Sequence, residues 1–358
     1  MRSPKVKNTK YTAIGLMSGT SMDGLDIACC VFTHFGKKWN FDIKAAETIK
    51  YNNSLAEKLK NSPKASAEQL WKTHVEFGKF SGTEVKKFVT KHKLKPLLVA
   101  SHGHTVFHQP HNGFTCQIGD GSQIAAISEI PTVCDFRSKD LALGGQGAPL
   151  VPIGDAFLFP EYQACLNIGG IANISFRKNK QTQAFDICPA NIVFNYYAER
   201  KGKAFDKGGE FASKGTVNEI VLQKLNDLPF YKSKGHKSLG REWIEDAVIS
   251  LVENNKLSTE NSLATALEHC AIQVANVLNK NEIKNVLITG GGAYNTFLLK
   301  RIQAHTKCKL IVPDKKTVEY KEALIFALLG VLRYLEIPNC LKSVTGAKKD
   351  NVGGAIYL

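Results

Sequence analysis

Thr12–Phe32 reads TAIGLMSGTSMDGLDIACCVF, and the rest of the chain is read outward from it. Two apolar runs, Thr12–Met17 and Leu25–Phe32, flank a small, polar turn, Ser18–Gly24. Apolar runs bounded by Gly and Asp predict the two strands of a hairpin. The turn is longer than a reversal needs and rich in hydroxyls. It offers glycine-permitted backbone N–H groups, the hydroxyls of Thr20 and Ser21 and the carboxylate of Asp23. That set suits phosphate oxygens and a hydrated Mg²⁺. It equally suits a plain hairpin loop capped by Ser and Asp, and the stretch by itself leaves both readings open.

After the hairpin, Phe41–Tyr51 alternates apolar and polar residues as an edge-like third strand does. Ser66–His92 carries Leu70, Phe77, Phe80, Val85 and Phe88 near helical spacing, which predicts an amphipathic helix. Leu97–Ser101 predicts a short buried strand, followed by the polar stretch His102–His111. Thr115–Gly119 and Thr132–Phe136 predict strands, with a helix at Gly121–Ile130 between them. Arg137–Pro152 (RSKDLALGGQGAPLVP) is a Gly-rich loop with charged ends and the expected domain crossing. The opening pattern then recurs. Tyr162–Ile168 predicts a strand, Gly169-Gly170 a tight turn, and Ile171–Arg177 and Gln183–Cys188 two more strands. Two strand–glycine turn–strand–strand units predict a duplicated architecture of two similar domains facing each other.

Pro189–Gly202 reads as a helix with Pro in its first turn, a favoured position. Helices are expected at Gly209–Ser213, Thr216–Asn226, Arg241–Glu253 and Ser258–Asn279. Asn285–Thr289 predicts a strand, and Gly290-Gly291-Gly292 opens a helix over Ala293–Ala304. Cys308–Val312 predicts a strand, Lys321–Leu335 a helix, and the chain ends on a short apolar strand after Gly353-Gly354.

The totals bound the class. A chain of 358 residues predicts two domains of ordinary size. Hydrophobic content of 43% with 22% charged residues is that of a globular protein. No apolar run approaches the roughly 18 residues that suggest a membrane span. The N-terminus MRSPKVKNTK is basic, but no cleavage-site pattern follows Tyr11–Met17, so no signal peptide is expected. Nine cysteines without a CxxC pair fit reduced thiols in a cytosolic protein better than a disulfide frame or a zinc site. The net charge of +15 is spread along the chain and not gathered in a block with aromatics. It reads as solvated lysines that favour an anionic small molecule, with no nucleic-acid partner and no membrane partner expected.

There is no G-x-x-x-x-G-K-[ST] and no G-x-G-x-x-G opening a helix after a first strand, so neither a P-loop nor a dinucleotide fold has support. Three glycine turns, each after an apolar strand, carry the signal: Ser18–Gly24, Gly169-Gly170 and Gly290–Gly292. Two hairpin turns facing each other suit the β- and γ-phosphates, and a third at a helix start leaves room for adenine and ribose. This is the logic of the actin–hexokinase–sugar kinase architecture. The expected fold class is therefore α/β, a two-domain actin-like ATPase (ribonuclease H-like) fold with an interdomain active-site cleft. The expected first domain is residues 1–130 plus about 336–358. The expected second, 131–335, carries the Gly169-Gly170 turn, Asp186 and the Gly290–Gly292 turn.

Gly15–Asp26 (GLMSGTSMDGLD) resembles the opening signature of the anhydro-N-acetylmuramic acid kinases. The resemblance continues through Ser101-His102-Gly103, Gln117–Asp120 (QIGD), Asp135-Phe136-Arg137 and Leu143–Pro152 (LGGQGAPLVP). It goes on through Asn167–Ile174 (NIGGIANI), Phe185-Asp186, Asp206, Gly290–Gly292, Glu322-Ala323 and Ser343–Ala347 (SVTGA), so it covers nearly the whole chain in order. It implies a cytoplasmic enzyme of peptidoglycan recycling, a homodimer. Such an enzyme uses ATP, Mg²⁺ and water to convert 1,6-anhydro-N-acetylmuramic acid into N-acetylmuramic acid 6-phosphate. The alternatives are a plain sugar kinase on a free hydroxyl and a catalytically silent ATP- and sugar-binding module.

By position in the motifs, the resemblance implies Asp186 as the general base; its bland reading is a helix N-cap or turn residue. It implies an ATP site at Gly19, Thr20, Ser21, Met22, Asp23, Gly24, Leu25, Asp26, Gly169, Gly170, Gly290, Gly291 and Gly292. Asp23 would hold Mg²⁺ through water, or merely form an Asx turn before Gly24. His102, Gly103, Arg137 and Glu322 are the expected sugar-binding residues. Arg137 suits the lactyl carboxylate of the sugar or a surface ion pair. Glu322 suits the sugar or a helix N-terminal dipole. His102, His104, His108 and His111 share one stretch without an accompanying Cys or carboxylate, which argues against a metal. The chain departs from the common FDTGPGN pattern with Phe185–Asn191, FDICPAN, from a second Asp with Asn195, and from SHGQT with Ser101–Thr105, SHGHT. These changes leave the base in place and alter the loop beside it.

Overall fold

The computed structural model describes residues 9–19, 24–35, 38–179, 181–233 and 238–358. The chain divides into two compact units, residues 1–159 with 320–358, and residues 160–319.

The first unit opens on a meander of β1 (Thr9–Ser18), β2 (Leu25–Phe35) and β3 (Lys38–Ile49). β1 and β2 are antiparallel, with Ser18 opposite Leu25 and Thr9 opposite His34, as the apolar runs predicted. β4 (Leu98–Gln109) lies parallel to β1, β5 (Phe114–Ile118) pairs antiparallel with β4, and β6 (Thr132–Cys134) lies parallel to β4. The C-terminal strand Ala355–Tyr357 closes the far edge against β6.

Side chains alternate across a strand, and β1 uses that alternation to make two unlike faces. Ile14 and Leu16, both essentially unexposed, join Ile27, Cys29 and Val99 in a core with Phe77, Val85 and Phe88 of the helix Ala67–His92. Fully burying each such aliphatic side chain contributes about 1.5–3 kcal/mol. The other face is small. A Cβ on Gly15 would lie 1.8 Å from the carbonyl oxygen of Ala323, so the helix Lys315–Tyr334 approaches β1 through its backbone. Further along, Gly330 of that helix sits against Ala100 and Leu98 of β4.

The second unit repeats the scheme. β7 (Ala164–Ile168), β8 (Ile171–Lys178) and β9 (Gln181–Pro189) form an antiparallel meander. β10 (Asn285–Thr289) lies parallel to β7, and β11 (Lys309–Ile311) parallel to β10. The two sheets therefore run β3-β2-β1-β4-β6 and β9-β8-β7-β10-β11. Among these five strands of each sheet only the second is reversed, which is the ribonuclease H-like order expected from the sequence; β5 and Ala355–Tyr357 are further antiparallel strands of the first sheet. The second core gathers Leu166, Ile168, Ile174, Ile187, Val286 and Ile288 against the helix Thr259–Lys280.

The second unit is shorter at both ends than the sequence suggested: the chain leaves the first unit later and returns to it earlier. Residues 131–159 and 320–335 belong to the first unit, because β6 is one of its sheet strands and the helix from Tyr320 onward covers β1 and β4. The Gly-rich stretch Arg137–Pro152 is not the crossing. It lies wholly in the first unit, and the chain leaves that unit at Phe159. It returns at Tyr320, where the helix Lys315–Tyr334 departs from helical geometry (φ −116°, ψ 16°).

Three local expectations also change. His102–Gln109 is strand and not loop, because β5 pairs with it. Pro189 ends β9, and the helix begins at Asn191. Gly290–Gly292 leads into a single 3₁₀ turn, and the next helix, Thr296–His305, starts only after Asn295, whose side chain caps Leu298 N–H at 2.9 Å. All nine cysteines are free thiols, most of them buried. Among the described residues no helix is long and apolar enough to cross a membrane.

Candidate active site

In the first unit, Thr20, Ser21, Met22 and Asp23 lie outside the described residues, while the two ends of their turn are in place. Gly24 has φ +152°, and a Cβ there would lie 2.5 Å from the Ile49 carbonyl, so the neighbouring strand demands glycine. Leu25 is buried in the core, which leaves only its backbone for a ligand. The half-buried Asp26 accepts the Thr48 hydroxyl at 2.6 Å. At the other end the Ser18 hydroxyl accepts from Tyr51 at 2.7 Å and shares a hydrogen with His104 Nδ1 at 2.9 Å. Burial lowers the His104 pKa and raises that of Tyr51 to about 12. His104 is the residue that departs from the common motif, and it ties the root of the turn to β4.

His102 and Arg137 meet. The guanidinium donates from Nη1 to the Gly147 carbonyl at 2.7 Å and from Nη2 to His102 Nε2 at 2.8 Å. Arginine only donates, so the accepting Nε2 carries no proton, and Nδ1–H donates to the Gly103 carbonyl at 2.9 Å. Burial, the Arg137 charge and His104 hold the His102 pKa well below the usual histidine range, against the bond to Gly103. Gly103 has φ +75°, and a Cβ on it would lie 2.7 Å from the Ile118 carbonyl, so its backbone has no freedom to move. Arg137 is not the surface ion pair that was its bland reading. Among the described residues no carboxylate pairs with it, and its Nε is buried without a partner. Burial pulls its pKa down to about 10, with Cys340 and Glu322 opposing. A buried guanidinium held by neutral acceptors is poised for an anion.

Glu322 follows the departure at Tyr320. It keeps an open surface while protein crowds the rest of it. Burial raises its pKa, Asp26 and Asp155 add to that, and Lys321 and Arg137 oppose it. Lys321 itself is buried and paired with Asp155 at 2.8 Å.

In the second unit, Asp186 stands on β9 opposite Asn173, beside a bulge. It caps no helix: Leu239 N–H donates to its Oδ2 at 2.9 Å, and the Ser238 hydroxyl adds a second bond. Burial pushes its pKa up and these two bonds pull it back. The departures around it face inward. Ile187, Cys188 and Ala190 are buried, with Cys188 Sγ 3.6 Å from Cys270 Sγ. The altered residues thus fill the interior, while Asp186 itself is half-buried.

Two glycine turns come together here. Gly290 (φ +82°) lies against Asn167 and the Ile168 carbonyl, where a Cβ would sit at 2.6 and 2.7 Å. A Cβ on Gly292 would strike Ile168 Cγ2 at 2.2 Å. The amides of Ala190 and Asn191 donate to Gly170 and Gly169 at 2.9 and 3.1 Å. Gly169 and Gly291 differ from these. Their nearest neighbours to an added Cβ are 3.5 and 3.6 Å away, and neither has positive φ. The protein does not need glycine at these two positions. Room beside the backbone at both is what the expected nucleotide site calls for. Gly169→Ala should therefore leave the thermal midpoint within about a degree of wild type while raising the KM for ATP, whereas Gly292→Ala should lower the midpoint, overpacking costing roughly 1–3 kcal/mol. A wild-type KM for ATP in Gly169→Ala would remove Gly169 from the nucleotide site.

Among the described residues no group of three or more His, Cys, Asp and Glu could hold a metal ion. The histidines of β4 already have partners: Gly103 and Arg137 for His102, Ser18 for His104, and Thr115 for His108. Mg²⁺ needs fewer protein ligands, commonly one or two carboxylates plus phosphate oxygens. Asp26, at the root of the turn that contains Asp23, is of that type. Ser238, Leu239 and Asp140 were not singled out in the sequence. Ser238 and Leu239 reach Asp186 from a distant polar stretch with no local signal.

Residues 11–358 match the family described as anhydro-N-acetylmuramic acid kinase. A protein of that name from Pasteurella multocida is 35% identical over 98% of this chain and 98% of its own length. Its counterpart from Sulfurimonas denitrificans is 31% identical over 96% of this chain and 98% of its own. A third, from Francisella tularensis subsp. novicida, is 34% identical over 97% and 98%.

Proposed function

Because the chain belongs to the anhydro-N-acetylmuramic acid kinase family, we propose that the residues placed above divide that family's reaction among them. The enzyme is a phosphotransferase that uses ATP and water to convert 1,6-anhydro-N-acetylmuramic acid to N-acetylmuramic acid 6-phosphate and ADP, a step of peptidoglycan recycling. Water attacks the anomeric carbon, the bond from that carbon to O6 breaks, and O6 takes the γ-phosphoryl group. The proton lost by the water goes to Asp186.

The observation that carries this assignment is the setting of Asp186. Burial raises its basicity while Leu239 N–H and the Ser238 hydroxyl fix its orientation. A positioned base of this kind contributes about 10²–10⁴-fold. Arg137 takes the lactyl carboxylate of the sugar, since its charge has no carboxylate partner among the described residues. His102, Gly103 and Glu322 line the sugar. The turn from Gly19 to Asp26 and the glycines at 169–170 and 290–292 hold the nucleotide through backbone N–H groups, with the charge stabilisation typical of phosphoryl transfer. Bound Mg²⁺, held through water by Asp23, would neutralise charge on the β- and γ-phosphates. The protein works in the cytoplasm as a homodimer.

The test is ADP release from the purified protein with Mg-ATP, with and without the anhydro sugar, and the mass of the sugar product. A product heavier by one phosphoryl group and one water is expected. A gain of the phosphoryl group alone would make the protein a plain kinase, and nucleotide binding without turnover would make it a silent binding module.

A further inference from the structure

Asp140 is fully buried, and its carboxylate collects donors from three stretches of the chain. Gly147 N–H reaches Oδ2 at 2.8 Å. Asn351 Nδ2, the Thr345 hydroxyl and the Cys340 thiol reach Oδ1 at 2.8, 3.0 and 3.2 Å. None of these donors is charged. Among the described residues no cation pairs with it; a buried carboxylate without a counter-ion is costly to keep, and an amide would not serve in its place. Asparagine has one accepting oxygen, so at least one of the four donors would face an NH₂ group.

The geometry points to a role one step away. Gly147 turns its N–H to Asp140 and its carbonyl to Arg137 Nη1 at 2.7 Å. Its φ of +67° strains any residue with a side chain, and an added Cβ would lie 2.1 Å from Leu141 Cδ1, which would have to move. Gly145 is locked as well: its N–H donates to the Asp140 carbonyl at 2.9 Å, and a Cβ would lie 2.2 Å from Asp140 Oδ2. Arg137 in turn donates to His102 Nε2 at 2.8 Å. A line of single contacts thus runs from Asp140 through Gly147 and Arg137 to His102.

We propose that Asp140 is a positioning residue for the anionic end of the sugar: through the Gly147 carbonyl it fixes the guanidinium of Arg137 without neutralising it. The buried negative charge is satisfied by four neutral donors, so the positive charge of Arg137 stays available to the substrate. The proposal rests on the reading of Arg137 as the carboxylate-binding residue.

Steady-state kinetics on Asp140→Asn, Arg137→Ala and the double variant test it. Asp140→Asn should raise the KM for the anhydro sugar about 10-fold, the size of a lost hydrogen bond that involves a charged group. Its kcat and its KM for ATP should stay within about two-fold, a split that general loosening of the fold would not produce. On the Arg137→Ala background the same change should add little, because its route of action is gone. Effects that multiply in the double variant, or a fall in kcat together with a rise in the KM for ATP, would overturn the proposal while leaving Arg137 in its role. A wild-type sugar KM in Arg137→Ala would overturn both. If Asp140→Asn fails to fold, Thr345→Val removes one donor and keeps the carboxylate. In the same cycle it should raise the sugar KM about three-fold and again lose its effect without Arg137; an unchanged sugar KM, or an effect undiminished without Arg137, counts against the proposal.

Discussion

Asp186→Asn lowers kcat by about 10²–10⁴-fold, the range expected for removal of a general base, and does not lower the stability of the fold. The amide keeps an oxygen for the Leu239 N–H that now bonds the carboxylate at 2.9 Å. The stability effect follows from the direction of the pKa shift. Burial raises the folded-state value of Asp186 above its ordinary one, so the folded state holds the proton more tightly than the unfolded chain does. The stability that this group contributes is present below its unfolded pKa and is lost as pH rises through the folded one. At neutral pH the ionised carboxylate is therefore held at a cost, and an amide, which cannot ionise, removes that cost. Melting at pH 7 should place Asp186→Asn at or slightly above wild type. The acid limb of kcat/KM, which reports the free base, should lie above the ordinary aspartate range in wild type and be missing from the residual activity of the variant. A variant that loses activity and stability together would mark Asp186 as structural.

The largest loss of stability is expected from a single methyl group. Gly15→Ala places its Cβ 1.8 Å from the Ala323 carbonyl oxygen and 2.9 Å from Ala327 N, both backbone atoms that no rotamer change can clear. The helix must lift from β1, at a cost of about 3 kcal/mol or more, which lowers the thermal midpoint by about 5–10 °C in a chain of this size. Glu322 rides on the same turn of helix, so the KM for the sugar should rise as well. An unchanged midpoint would mean that this helix does not lie against β1.

The parts of the fold that were legible in the sequence are those written in local apolar runs. β1, β2 and β10 show them, because their residues are apolar enough to mark buried strands wherever they occur. β4 beyond Ser101 was not legible. His102 to Gln109 is polar, and strand pairing with β5 overrides a composition that reads as loop. The unit boundary was missed for a related reason: Arg137–Pro152 has the glycine content of a linker, but Asp140 ties it down with bonds to residues near the C-terminus. Within the site, Asp186, His102 and Arg137 were marked by motif position. Leu239, whose N–H holds the Asp186 carboxylate, was not, since a backbone donor carries no signature of the side chain it will meet. The FDICPAN departure was visible as a change of letters. Only packing shows that Cys188 and Ala190 turn into the core.

The second unit is one unbroken stretch, 160–319, placed inside the first. On the ribosome this inverts the order of completion. The unit begun second has all of its strands once residue 311 has emerged. The unit begun first must wait for the helix from Tyr320 to cover its small-residue face and for Ala355–Tyr357 to close its sheet. Domains generally fold as units during synthesis. The nascent chain therefore carries a finished second unit and an uncapped first sheet until residues 355–357 are made.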